Sequence, residues 1–169
     1  IQEAKEEGRK VIVFSFYLDT IRKISKLLGN QCTEIINGSV SPKHRQEIID
    51  EFESAPAGSV LLSQIMAGGT GLNIQSASVV IICEPQIKPS IESQAISRTY
   101  RMGQSRNVLV YRLLCNDTID ERITDILTRK TNVFNAFADQ SAAVNNIEID
   151  STSLTNMIDE ERKRIMNLS

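Results

Sequence analysis

The chain has 169 residues, 41% of them hydrophobic and 24% charged, with a formal net charge of −2. That length fits one domain with an appendage and leaves room for a substantial core; it offers no apolar run near the roughly 20 residues of a bilayer span and no charged-then-apolar secretory leader. Residues 1–115 carry 13 basic and 11 acidic groups, residues 116–169 carry 6 and 10, and residues 84–112 hold five basic against two acidic, a pattern that allows a modest phosphate-tracking surface and excludes a strongly basic arm.

In chain order, Ile1 followed by the charged QEAKEEGRK reads as the middle of a longer protein, so a fragment is expected. KVIVFS (10–15) predicts a buried strand, and a helix follows from about 18 to 28 with Leu18, Ile21, Ile24, Leu27 and Leu28 on one side. Gly29-Asn30 ends it. EIING (34–38) predicts a second strand, after which Ser41-Pro42 supplies a side-chain cap and a preset first turn for a helix bearing Ile48, Ile49 and Phe52. SVLLS (59–63) and SVVIIC (78–83) are further strands, separated by the glycine-rich GGTGLN at 68–73. Residues 90–101 predict a helix and NVLVYRLL (107–114) a last strand.

Continuous rather than alternating apolar strands, joined by helices, predict an α/β fold whose mainly parallel sheet is covered on both faces. In such sheets ligands gather beyond the carboxyl ends of the strands. After residue 115 the pattern changes. Thr118 with Glu121 forms a capping-box signature, and Ile119, Ile123, Ile126, Leu127, Phe134 and Phe137 keep a helical stripe that has no strand to cross over to. The expected divisions are a sheet domain over 1–115, a brace helix over 116–138, and a polar linker with a short helix over 139–169.

The most specific string is QAISRTYRMGQ at 94–104. Gln94, Arg98 and Arg101 fall at i, i+4 and i+7, on one face of the predicted helix. Two permanently charged guanidiniums beside a carboxamide suit an oxyanion-rich ligand such as a triphosphate. GGTGLN is neither a GxGxxG fingerprint nor a GxxxxGK[ST] loop, and a glycine turn alone is usually only a turn. Thr70 and Asn73 add hydrogen-bonding groups beside a backbone free to approach phosphate.

Other polar residues read as structural. His44, the single histidine, sits between Lys43 and Arg45 without a nucleophile partner, and no catalysis is assigned to it. Cys32, Cys83 and Cys115 form no CxxC pair and read as buried reduced thiols. No cluster has metal-site spacing, and 5% aromatic content argues against a base-stacking platform.

Together these strings resemble the second RecA-like lobe of a superfamily-2 helicase, specifically of the Swi/Snf family of DNA-translocating ATPases. The resemblance covers about residues 10–137 and rests on VIVFS, INGSVSPKHRQEIIDEF, AGGTGLN, SVVIICEP and QAISRTYRMGQ. It implies a three-layer α/β/α fold with a long C-terminal brace helix. It also implies ATP and Mg²⁺ held mainly by an N-terminal RecA-like lobe of the same protein, with no metal on this lobe.

By the resemblance Arg98 and Arg101 are arginine fingers to the nucleotide's terminal phosphates. Gln94 orients their helix or touches the nucleotide, and Gly69 and Gly71 let the glycine-loop backbone approach the cleft. Gly68, Thr70, Asn73 and Lys43 contact duplex DNA. Ser97 and Tyr100 stand where the family commonly has Asp and His, which places the coupling of the two arginines in question. PQIKP replaces a tryptophan-bearing stretch and points to a prokaryotic branch. The implied location is cytoplasmic, nucleoid-associated in a prokaryote and nuclear in a eukaryote. The alternatives are a lobe of another superfamily-2 DNA or RNA helicase, and a degenerate docking module.

Overall fold

The computed structural model describes residues 1–67, 74–100 and 107–138, with side chains of the last helix through Arg129, and the single positions Asn156, Asp159 and Lys163. The glycine loop 68–73 and the stretch 101–106, with Arg101, Gly103 and Gln104, lie outside the described residues, as does most of 139–169.

Four strands, β1 (Val11–Ser15), β2 (Val60–Gln64), β3 (Val79–Ile82) and β4 (Leu109–Arg112), form one sheet in the order β2-β1-β3-β4. Every neighbouring pair is parallel. The register explains why the strands lack polar alternation. Leu61, Ile12, Val80 and Val110 lie side by side in one row, and Val60, Val11, Val79 and Leu109 in the next. Successive side chains point to opposite faces, so each row belongs to a different core.

The first row packs with Ile48, Ile49 and Phe52 of α3 (Pro42–Ser54) and Ala95 of α4 (Pro89–Ser97). The second packs with Ala4 of α1 (Gln2–Glu6) and with Ile21, Ile24 and Leu28 of α2 (Leu18–Leu28). Helices therefore cover both faces, which is the three-layer RecA-like α/β/α arrangement.

Helix ends follow local chemistry. Ser41 caps α3 by accepting from the His44 amide at 3.3 Å, with Pro42 in the first turn. Gly29 ends α2 at φ +54°, a backbone region that disfavours a Cβ, and a short 3-10 turn over Gly29–Gln31 follows. At α5 (Ile119–Ala138) Thr118 Oγ1 accepts from the Asp120 amide at 3.3 Å. The Glu121 carboxylate accepts from Asp117 N–H at 3.1 Å, one residue before the expected cap. The reciprocal box is thus shifted onto Asp117, which adopts φ +55°.

Four expectations need correction. Residues 34–38 do not form a strand: the segment touches β2 through a single bridge at Ile36, with another at Cys32 just upstream. Ile36 pairs through 2.9 and 2.8 Å backbone bonds, and the chain then turns at Asn37 before a ladder can extend. Leu27 leaves the α2 stripe and is 85% exposed, since the helix turns it a quarter-revolution from Leu28. The helix predicted over 90–101 ends at Ser97, so Arg98 falls just past it. The cysteines are free, but Cys32 and Cys83 are half-buried and Cys115 is exposed beyond the end of β4.

The chain divides into two compact units, Ile1–Glu84 with Ile91–Leu113, and Pro85–Ser90 with Leu114–Ser169. Within the second, Ile87 packs with Ile119, Ile123, Ile126 and Leu127, the described part of the expected brace-helix stripe. Among the described residues no helix is long and apolar enough to cross a membrane.

Candidate functional site

The crossover from β2 to β3 carries the glycine loop between two fixed ends. Its leading end is Ala67, 6% exposed, whose carbonyl accepts from Arg45 Nη1 at 3.3 Å. Its trailing end is Ile74, fully buried, whose amide donates to the Arg98 carbonyl at 3.1 Å. A backbone bond thus joins the end of the glycine-loop motif directly to the arginine motif 24 positions later.

Arg98 is half-buried with its Nε fully covered. Because α4 ends at Ser97, Gln94 and Arg98 do not share a helix face, and the third member of the expected i, i+4, i+7 set, Arg101, lies outside the described residues. Gln94 is exposed on α4 and its carbonyl accepts from Ser97 Oγ at 2.8 Å. Thr99, fully buried, donates from Oγ1 to the Ile96 carbonyl at 2.7 Å. These two hydroxyls take carbonyls of the last turn, and the chain leaves the helix there. Tyr100 is 54% exposed. Arg101, Gly68, Gly69, Thr70, Gly71 and Asn73 lie outside the described residues.

Lys43, the other expected DNA contact, stands in the first turn of α3 with its side chain 90% exposed, 3.9 Å from Glu47. Beside it, His44 lies 2.9 Å from Glu34 through Nε2 and 2.9 Å from Glu47 through Nδ1. The hydrogen bond to Glu47, then that to Glu34, holds its pKa above the ordinary histidine value.

The carboxyl edge of the sheet contains a second polar group, centred on Glu84 of SVVIICEP, of which no role was expected. Glu84, following β3, accepts from Ser15 Oγ at 3.0 Å and from the Phe16 amide. Gln64, ending β2, donates from Nε2 to the Phe16 carbonyl at 3.0 Å. The turn into α2 is thus gripped from both neighbouring strands, and it presents Phe16 and Tyr17, 48% and 61% exposed, as an edge-to-face pair. Next to Glu84, burial and then the carboxylate's charge push the Cys83 thiol up to about 11, so it is a poor nucleophile.

Arg45 lies within INGSVSPKHRQEIIDEF, but no role was expected of it there. Besides Ala67, its guanidinium donates to the carbonyls of Val40 at 2.8 Å, Asn37 at 3.2 Å and Gly38 at 3.5 Å. Its only signal is position, four residues after a capping serine and behind an Asn-Gly turn. Among the described residues no group of three His, Cys, Asp or Glu side chains could hold a metal ion.

Residues 1–103 match the helicase conserved C-terminal domain. The chain is 39% identical over 132 residues to an uncharacterized ATP-dependent helicase of Mycoplasma genitalium, covering 77% of this chain and 13% of that protein. It is 35% identical over 125 residues to the DNA repair protein RAD5B of Arabidopsis thaliana, covering 73% of this chain and 10% of that protein. The chain therefore spans only 7% to 14% of the length of the curated relatives it matches. Among solved structures, the Sulfolobus solfataricus SWI2/SNF2 ATPase core in complex with dsDNA aligns with a TM-score of 0.65 at 29% identity, over 81% of this chain and 29% of that one. The C-terminal part of the Fun30 ATPase domain aligns with a TM-score of 0.71 over 96% of this chain and 49% of that one, and at 23% identity it shares the fold. The chain belongs to the helicase conserved C-terminal domain family, as the C-terminal lobe of a SNF2-family helicase-like ATPase.

Proposed function

We propose that this lobe is the second motor lobe of an ATP-dependent DNA translocase, one that completes an ATP site built mainly on another lobe of the same protein. The observation that carries the reading is the Ile74 amide bonded to the Arg98 carbonyl at 3.1 Å. It makes the end of the glycine loop and the start of the arginine segment one backbone unit, so displacement of either is felt by the other.

ATP, when bound, supplies the phosphoryl group for transfer, and the chain's residues fit the terminal phosphates and not the metal. Arg98 offers a half-buried guanidinium whose desolvation strengthens its pull on an oxyanion. Arg101 offers a second, three residues on. Glycines at 69 and 71 let loop amides approach phosphate, and Lys43, Gly68, Thr70 and Asn73 hold the DNA backbone. Mg²⁺ falls to the other lobe in this reading. Closure of the two lobes on duplex DNA brings the arginines to the nucleotide, and reopening moves the DNA grip by a step. The Sulfolobus neighbour is a complex with dsDNA, which supports duplex over single strands or RNA. The protein would work wherever its DNA lies, cytoplasm and nucleoid or nucleus.

The test is ATP turnover by the full-length protein with duplex DNA, single strands or RNA. Arg101→Ala is expected to remove duplex-stimulated turnover by about 10³-fold or more while nucleotide binding persists. Turnover near the wild-type rate would refute the arginine role. Stimulation by RNA and not by duplex DNA would reassign the substrate.

A further inference from the structure

Among the described residues, Arg45 donates to four backbone carbonyls drawn from two places far apart in the chain. Asn37, Gly38 and Val40 form the turn before α3, and Ala67 is the last residue before the glycine loop. The turn is itself well fixed. Asn37 Oδ1 accepts from the Ser39 amide at 2.8 Å and from Ser39 Oγ at 2.6 Å, and the Val40 amide returns to the Asn37 carbonyl at 3.2 Å. Just upstream, Ile36 is bonded on both sides to β2. Arg45 therefore spans from a rigid turn on α3 to the point where the chain leaves β2.

We propose that Arg45 is a positioning residue that sets where the backbone leaves β2 for the glycine loop, and through it where that loop meets phosphate. The proposal rests on the functional reading above. A basic residue beside Lys43 invites a second interpretation, a direct phosphate contact, and the geometry disfavours it. The half-buried guanidinium is directed at the protein's own carbonyls, whereas the neighbouring Lys43 ammonium is 90% exposed. Lysine cannot replace arginine in this role. A single ammonium lacks the planar fork that reaches Val40 on one side and Ala67 on the other.

The experiment uses the full-length protein with Arg45→Lys, Arg45→Gln and Lys43→Ala. Lys10→Met serves as a control that loses a comparable anchor, since Lys10 Nζ donates to the Phe52 and Glu53 carbonyls at 2.9 and 2.6 Å. Both Arg45 variants are expected to speed amide exchange at residues 65–67 about tenfold or more. They should also lower kcat at saturating duplex by about tenfold or more, since a shift near 1 Å costs up to about a hundredfold. KM for ATP should stay within about twofold, and the salt dependence of duplex binding should not change. Lys43→Ala should reduce that salt slope by about one.

Unchanged exchange at 65–67 in Arg45→Lys would overturn the proposal. So would a salt slope reduced by one, the signature of a phosphate contact, or a kcat loss no greater than in Lys10→Met at equal loss of melting temperature. A wild-type protein without duplex-stimulated turnover would sink the functional reading instead, and the exchange measurement would still decide whether Arg45 positions the chain.

Discussion

Replacing Glu84 with alanine removes the acceptor shared by Ser15 Oγ, 3.0 Å away, and the Phe16 amide. The cost follows from what each donor does next. Phe16 is 48% exposed, so its amide can turn to water, and its share is about 1 kcal/mol. Ser15 is fully buried but retains the Tyr17 carbonyl at 3.2 Å and the Tyr17 amide at 3.0 Å, so its share is also about 1 kcal/mol. The total of about 2 kcal/mol corresponds to roughly thirtyfold in a local opening equilibrium. Native-state hydrogen exchange of the Phe16 and Tyr17 amides in the full-length protein measures it directly. Glu84→Gln keeps one acceptor oxygen and should recover about half the loss. A cycle combining Glu84→Ala with Ser15→Ala should show a coupling of about 1 kcal/mol, because the two residues share a bond. Exchange within twofold of wild type in Glu84→Ala, or strict additivity in the cycle, would refute the idea that Glu84 grips the turn into α2.

Two further outcomes rest on titration. His44 gains carboxylate partners on folding and its pKa is raised, so its stabilising contribution is full below about 6.5 and lost as pH rises through the higher folded value. The melting-temperature difference between wild type and His44→Gln should therefore shrink from pH 6 to pH 8.5, and Glu47→Gln should weaken the effect with Glu34 and Lys43 left in place; a difference that grows with pH would show the sign to be wrong. For the thiols, Cys83 lies at about 11 and is half-buried while Cys115 is exposed, so iodoacetamide at pH 8 should modify Cys115 first and Cys83 at least about a hundredfold more slowly, as mass spectrometry of timed digests would read.

The sheet was legible because β1, β2 and β3 are buried on both sides. VIVF and VLL have no polar alternation to confuse, and the register places each residue in one of two cores. The cap at Ser41 was legible because it is local, three residues from the amide it accepts. What failed did so where long-range pairing decides. EIING has strand composition, but only Ile36 pairs on both sides with β2 before the Asn37 turn takes the chain away. The helix over 90–101 was overextended since nothing in QAISRTYR marks the stop: there is no glycine or proline, and the end is written by Ser97 and Thr99 folding their hydroxyls back onto the last turn.

The same distinction separates the motif from its support. The arginines and glycines stood out because their types and spacing are chemically unusual, whereas Glu84 and Arg45 are ordinary residues whose partners lie 68 or 69 and 5 to 22 positions away. Glu84 and Arg45 stand within SVVIICEP and INGSVSPKHRQEIIDEF, but their partners, and so their roles, are set by long-range pairing that those strings do not spell out. Yet they decide what a loop can do, because backbone amides reach phosphate only as accurately as their ends are held. The glycine loop has one end held by the Arg45 side chain and the other by the Arg98 backbone. The second attachment uses a carbonyl, so truncating the Arg98 side chain removes a charge and leaves the tether in place. Arg98→Ala therefore isolates the guanidinium's chemistry, and Arg45→Lys isolates the placement of the loop.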